Sequence, residues 1–133
     1  MANYNLYKNI SPGSITAATA SLRQSLNPAK TKLGTFQTSL NDKIWKAKSK
    51  ETLLTAFKTI NSDVYTEVET ALSNLDTAAG YISTYIAARN QALQIKSQIS
   101  SAPADSDKSA LYSALEVQEG IMDDSESNVN SLL

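Results

Sequence analysis

Leu22, Leu26, Ala29, Leu33, Phe36 and Leu40 follow one another at alternating spacings of four and three. Beyond Trp45, Leu53 or Leu54, Phe57, Ile60, Val64, Val68, Leu72, Leu75, Ala79, Ile82, Ile86 and Leu93 keep a similar rhythm. At about 3.6 residues per turn, such spacings place apolar groups on one stripe of a helix. The pattern predicts two amphipathic helices meeting at Ile44-Trp45-Lys46-Ala47 and lying antiparallel with their stripes inward. An aromatic at the tip of such a hairpin closes the end of a seam that would otherwise be wet.

Residues 1–13 form a short irregular arm in this reading, with Tyr4, Leu6, Tyr7 and Ile10 able to dock on the helices. Ser11-Pro12-Gly13-Ser14 is a start signal with Ser14 as N-cap. The first helix is expected over 14–45 and kinked at Pro28, which lacks an amide hydrogen and clashes with the preceding turn. The second is expected over 49–101, capped by Ser49 and ending at Ser101-Ala102-Pro103. At ~1.5 Å per residue it is roughly 75 Å long against roughly 45 Å for the first, so it overhangs by about 30 Å. Gly80 is a candidate bend near that point.

The overhang carries Tyr81, Ile82, Tyr85, Ile86, Leu93, Ile95 and Ile99, which need cover. Ala110, Leu111, Ala114, Leu115, Val117 and Ile121 supply it in a third helix over 106–124, folded back on the second. A partner protein is the alternative cover. Ser106 is the expected cap, with Asp105 and Asp107 near the positive helix end. Residues 125–133 are expected to fray. The fold class is all-α, within a single domain over 1–133: a long antiparallel hairpin with an additional C-terminal helix packed on the overhanging second helix.

Composition agrees with helix. The 133 residues include four Gly and three Pro, and 41% are hydrophobic, enough for a core. No His and no Cys are present. This removes imidazole bases, thiol nucleophiles, disulfides and the usual zinc ligands together. Glu67 and Glu69 point to different faces, Asp123 and Asp124 are adjacent in a polar stretch, and there is no Gly-rich phosphate loop. No catalytic, cofactor-binding or metal-binding residue is therefore assigned, and the chain is read as not an enzyme. A net charge of −1 argues against a nucleic-acid binder. No small-molecule substrate is implied. No apolar run approaches the ~18 residues of a membrane span, and Met1 to Ser14 lacks the apolar core of a signal peptide.

Charge is uneven. Residues 1–58 hold nine Lys or Arg against two acids, whereas 105–133 hold seven acids against one Lys. Lys43, Lys46, Lys48 and Lys50 surround Trp45. They suit a solvated tip, or a docking site for an acidic surface.

The joint Ile44-Trp45-Lys46-Ala47-Lys48, followed by Leu54 and Phe57, resembles the helix–turn–helix joint of the WXG100, or ESAT-6-like, superfamily. There, Trp-X-Gly separates two long antiparallel helices. Trp45 matches the Trp; Ala47 stands where the family has Gly, and Ala resists the left-handed conformation that Gly permits. The resemblance covers 14–100 as architecture. A second match is separate. Substrates of type VII secretion carry a Tyr-X-X-X-Asp/Glu signal toward the C-terminus, and Tyr112-Ser113-Ala114-Leu115-Glu116 has that form. A spacing of four puts Tyr112 and Glu116 on one helical face, where one partner reads both. Tyr65 and Glu69 repeat the form inside the second helix.

The resemblance implies a non-enzymatic secretion partner. Such a protein acts as secreted substrate, targeting factor or heteromeric chaperone for a helical LXG-type effector. Its partners would be that effector or another WXG100-like protein, or a second copy in a homodimer, together with a secretion ATPase. Its place would be cytoplasmic before export, then secreted or at the cell surface by a leaderless route. Leu22, Leu26, Leu33, Phe36, Leu40, Phe57, Val64, Val68, Leu75, Ile82 and Ile86 are the expected partner seam. The alternative is a structural, self-assembling coiled-coil module with no export role.

Overall fold

The computed structural model describes residues 2–42 and 48–133, with side chains outside 40–50. The chain is all-α. Helix α1 spans Pro12–Asp42, α2 Lys48–Thr59 and α3 Tyr65–Ser101, with a π-helical turn, Ile60–Val64, joining α2 to α3; α4 spans Ser109–Leu132. No strand occurs among the described residues. The long second rod of the hairpin is thus α2, the π turn and α3 in sequence.

Helix α1 begins at Pro12, and its cap is Ser11, not Ser14. The Ser11 carbonyl accepts from the Ser14 and Ile15 amides at 3.1 and 3.2 Å, and Ser11 Oγ lies 3.4 Å from the Ser14 amide. Proline suits a first helical position because φ is preset and no amide there needs a partner. Pro28 lies inside α1, which continues past it as one element. α3 likewise runs through Gly80 without a break. The irregularity of the long rod lies instead at the π turn, where the Tyr65 amide donates to the Ile60 carbonyl, five residues back.

The residues cluster into two compact units: 1–15 with 75–133, and 16–74. Both α1 and α3 contribute to each.

The first unit holds the closed core. Tyr85, Ala88, Ala92, Met122 and Ala2 are buried together, with Tyr4, Leu6, Tyr7 and Leu115 packed against them. A second cluster joins Ala78, Ile82 and Val129 to Tyr7, Ile15 and Leu132. On α3, Ala78, Ile82, Tyr85 and Ala92 fall at helical spacings, and the small alanines let α4 and the arm come close. Tyr85 and Met122 are fully buried. α4 therefore packs on the α3 overhang, and the arm docks through Tyr4, Leu6 and Tyr7, while Ile10 stays exposed.

Residues 125–133 do not fray. They form the last turns of α4, because Ser125 and Val129 are buried and Leu132 packs beside them. Met122, Ser125, Val129 and Leu132 continue the period, so the helix gains burial by going on. The expected Ser106 cap is also displaced. Lys108 occupies the N-cap position without a side-chain bond. Asp107 does the capping: its Oδ1 accepts from the Ser109 amide at 2.9 Å and the Ser109 hydroxyl at 2.7 Å. Those two bonds hold its carboxyl below the usual carboxylate range. Ser106 instead donates to the Pro103 carbonyl at 2.6 Å.

Candidate protein-interaction site

The second unit is a two-helix hairpin. Arg23 meets Glu69, Phe36 meets Phe57, and Gln37 meets Asn61. Residue 23 meets residue 69, whereas residues 36 and 37 meet residues 57 and 61, so the two rods are antiparallel. Arg23 Nε donates to Glu69 Oε1 at 2.9 Å, and its second guanidinium nitrogen reaches Ser73 Oγ at 3.3 Å. Asn61 Nδ2 donates to Gln37 Oε1 at 3.4 Å, while the buried Asn61 Oδ1 accepts nothing. Two polar levels therefore tie the rods in one register.

Along this seam Leu26, Leu33, Leu54, Phe57, Tyr65 and Val68 are half-buried and Leu72 is buried. A second strip lies outside this seam. Leu22, Phe36, Leu53, Ile60 and Val64 are 51%, 49%, 41%, 37% and 51% exposed. Leu22 and Phe36 share the α1 stripe. Leu53, Phe57, Ile60 and Val64 follow at spacings of four, three and four. The Phe36 and Phe57 rings meet edge to face, centroids 5.3 Å apart at 71°. That contact brings the two outer strips to the same side. Both rods of the hairpin thus carry exposed apolar side chains, with the aromatic pair joining the rods.

The expected partner seam splits accordingly. Leu26, Leu33, Phe57 and Val68 line the inside of the hairpin, and Leu22, Phe36 and Val64 lie on its open face. Ile82 and Ile86 belong to the first unit and pack against α4, so they are core residues of this chain. Leu75, also of the first unit, is 37% exposed. Lys43, Trp45, Lys46 and Ala47 lie outside the described residues, as do the side chains of Leu40, Lys48 and Lys50. Leu53 and Ile60 belong to the face although the seam omitted them; both fit the apolar rhythm. Arg23, Gln37 and Asn61 carried no signal, because a polar residue at a seam position breaks the pattern used to find seams.

The two Tyr-X-X-X-Glu matches have different surroundings. Tyr65 and Glu69 line a cavity of about 40 Å³ with Arg23, Leu26, Lys30 and Val68, and Glu69 is engaged by Arg23. Tyr112 is 55% exposed and Glu116 is exposed, one turn apart on the outer face of α4. Among the described residues no cluster of three acids is placed to hold a metal. No described helix is long and apolar enough to cross a membrane. The chain matches no family model, no curated protein and no solved structure.

Proposed function

We propose that this chain is a non-enzymatic helical partner protein of the WXG100-like kind. Its hairpin packs against the helices of another protein, and it serves type VII secretion as substrate, targeting factor or chaperone of an LXG-type effector. The observation that carries the reading is the open apolar face of Leu22, Phe36, Leu53, Ile60 and Val64. Exposed apolar side chains grouped on one side of a soluble hairpin mark a surface used in association. A helical partner matches it best, because the face is a groove between two rods with anchors at helical spacing. The accessible Tyr112/Glu116 pair supports an export role for α4, whereas Tyr65 is half-buried and the exposed Glu69 is paired with Arg23. In this reading the chain is cytoplasmic until a secretion ATPase engages it, then leaves by a leaderless route.

The test has two arms. Phe36→Glu/Ile60→Glu alters exposed positions, so helicity stays and co-purification of the partner from the native cell is lost. Tyr112→Ala and Glu116→Ala each leave folding intact and block export. Export unchanged in both variants refutes the signal, and undiminished co-purification with the face variant refutes the face. The same apolar face also suits a self-assembling module. Light scattering on the pure chain separates the readings, since a stable homodimer abolished by Phe36→Glu favours the second.

A further inference from the structure

In the first unit, residues 2–7 lie in a seat made by α3 and α4, and that seat has the features of a peptide-binding site. Two contacts read the main chain. The Tyr85 hydroxyl donates to the Asn3 carbonyl. Arg89 Nε donates to the Tyr4 carbonyl at 2.7 Å. Two contacts read a side chain. The Tyr4 hydroxyl donates to Glu119 Oε1 at 2.6 Å, and the Lys96 ammonium sits 3.8 Å from the Tyr4 ring centroid. A phenol fits both at once, its hydroxyl on a carboxylate and its π face under a cation. Ala88 and Ala92 are buried in the same cluster, where their small side chains let the arm approach; Ala2 is buried with them at 7% exposure. The seat therefore recognises an Ala-X-Tyr segment, and the chain's own arm supplies one.

The joint between the seated arm and α1 is built differently. Tyr7 adopts φ 54°, the left-handed region that a bulky Cβ disfavours. The Ile10 amide then turns back to the Tyr7 carbonyl at 3.2 Å. Lys8, Asn9 and Ile10 are exposed. Tyr7 is at once the strained residue and part of the seat, its ring packing on Tyr85 and against Ala78, Ile82 and Val129, so the strain lies where the seated arm turns toward α1. An arm arriving from another molecule keeps the seat contacts without having to make the same turn.

We propose that the α3–α4 seat is an exchangeable peptide-binding site, and that its second occupant is the arm of another copy of this chain. A strained turn between a docking segment and the rest of the chain is the arrangement that favours such exchange. At low concentration the chain's own arm wins, because tethering gives it an effective concentration on the order of millimolar. The seat opens to another arm when its own is weakened. This inference is independent of the partner reading above, which rests on the other unit.

The probe is a fluorescein-labelled, N-acetylated peptide of residues 2–10, titrated into full-length protein and followed by anisotropy. The Tyr4→Ala chain, whose arm is weakened and whose seat is intact, binds it saturably. The native chain binds at least about tenfold more weakly, since its seat is filled. Adding Arg89→Ala to the Tyr4→Ala chain abolishes binding. A peptide carrying Tyr4→Phe binds about ten- to hundredfold more weakly, through loss of the bond to Glu119. Mixing the Tyr4→Ala chain with an Arg89→Ala chain gives a heterodimer by light scattering at concentrations where neither self-associates. Should the Tyr4→Ala chain lose helicity, the Tyr4→Phe chain replaces it, with its ring packing kept. No peptide binding to the weakened-arm chain, equal binding to the native chain, or binding that survives Arg89→Ala overturns the proposal.

Discussion

Met122→Ala tests whether α4 is welded to α3 as the core of the first unit implies. Met122 is fully buried on α4, in one cluster with Tyr85, Ala88 and Ala92 of α3. Met→Ala in a core costs about 2–5 kcal/mol, and the value within that range depends on how far neighbours can collapse into the vacated space. Ala88 and Ala92 have no side-chain rotamers with which to reach in. Tyr85 is held by its bond to the arm and by its edge-to-face contact with Tyr7, ring centroids 5.1 Å apart. The hole therefore stays largely open, and a loss of about 3–5 kcal/mol is expected. A chain of this length has roughly 7–20 kcal/mol in total, so the change is a large fraction of it.

Urea unfolding followed by far-UV ellipticity measures the loss. With a slope of about 2 kcal/mol per molar, the midpoint falls by roughly 1.5–2.5 M. Near-UV ellipticity from the tyrosines places the loss in the first unit, where Tyr7 and Tyr85 pack. Val117→Ala is the control. It sits on the same helix, removes apolar atoms of the same kind, and starts 60% exposed. Its cost should stay within about 0.5 kcal/mol. If Met122→Ala costs less than about 1 kcal/mol, or no more than the control, the packing of α4 on α3 described above is wrong.

Other perturbations probe the remaining contacts. Burial raises Tyr4, Tyr7 and Tyr85 above the ordinary phenol value, with Glu119 adding to the shift of Tyr4 and Glu126 to those of Tyr7 and Tyr85. The folded state then holds these protons more tightly than the unfolded state. The associated stability is present below about pH 10 and is lost as pH rises toward the raised folded values, by up to about 1.4 kcal/mol per pH unit for each tyrosine. Urea midpoints flat between about pH 8 and about pH 11.5 contradict this. Replacing both Gln37 and Asn61 by Leu removes a buried unpaired acceptor and stabilises the hairpin by about 1–3 kcal/mol, seen as a higher melting temperature; Asn61→Leu alone gains less, because Gln37 loses its partner. Val129→Asp puts a charge against Ala78 and Ile82 and costs at least about 2 kcal/mol in urea unfolding, whereas a frayed tail would tolerate it.

Periodicity made the rods, their antiparallel sense and the folding back of α4 legible, since apolar spacing is a direct image of burial. The end of α4 was hidden by its letters. Ser-Glu-Ser-Asn-Val-Asn reads as a polar tail, although Met122, Ser125, Val129 and Leu132 keep the helical period and a small Ser is easily buried between helices. The Asp107 cap was missed for a different reason: three candidate caps stand in a row, and choosing among Asp105, Ser106 and Asp107 needs backbone geometry. The π turn has no periodic image at all. Asn61 lies within it and fills a seam position with an amide, so neither the turn nor the Gln37 pairing could be read from apolar spacing. The Tyr4 seat was half legible. The arm's aromatics announced docking, but its receptors, Tyr85, Arg89, Lys96 and Glu119, are scattered over two helices.

The contrast between the two units explains where a partner belongs. In the first, three elements (arm, α3 and α4) surround one core, and both fully buried large side chains, Tyr85 and Met122, sit there. In the second, two rods carry apolar stripes wider than a single mutual seam can cover. Leu26 and Leu33 turn in while Leu22 and Phe36 remain out, and Phe57 bridges the seam to Leu53, Ile60 and Val64. Among the described residues of this unit, Leu72 alone of the apolar side chains is buried. A pair of helices with stripes of that width leaves a strip wet however it is rotated, because turning one strip inward turns the other out. In the proposed function a third body covers both. The Arg23–Glu69 and Gln37–Asn61 pairs join the rods in the register in which Phe36 and Val64 are exposed. Relaxing those pairs with Gln37→Leu/Asn61→Leu should therefore loosen register and weaken partner binding even as the isolated hairpin becomes more stable.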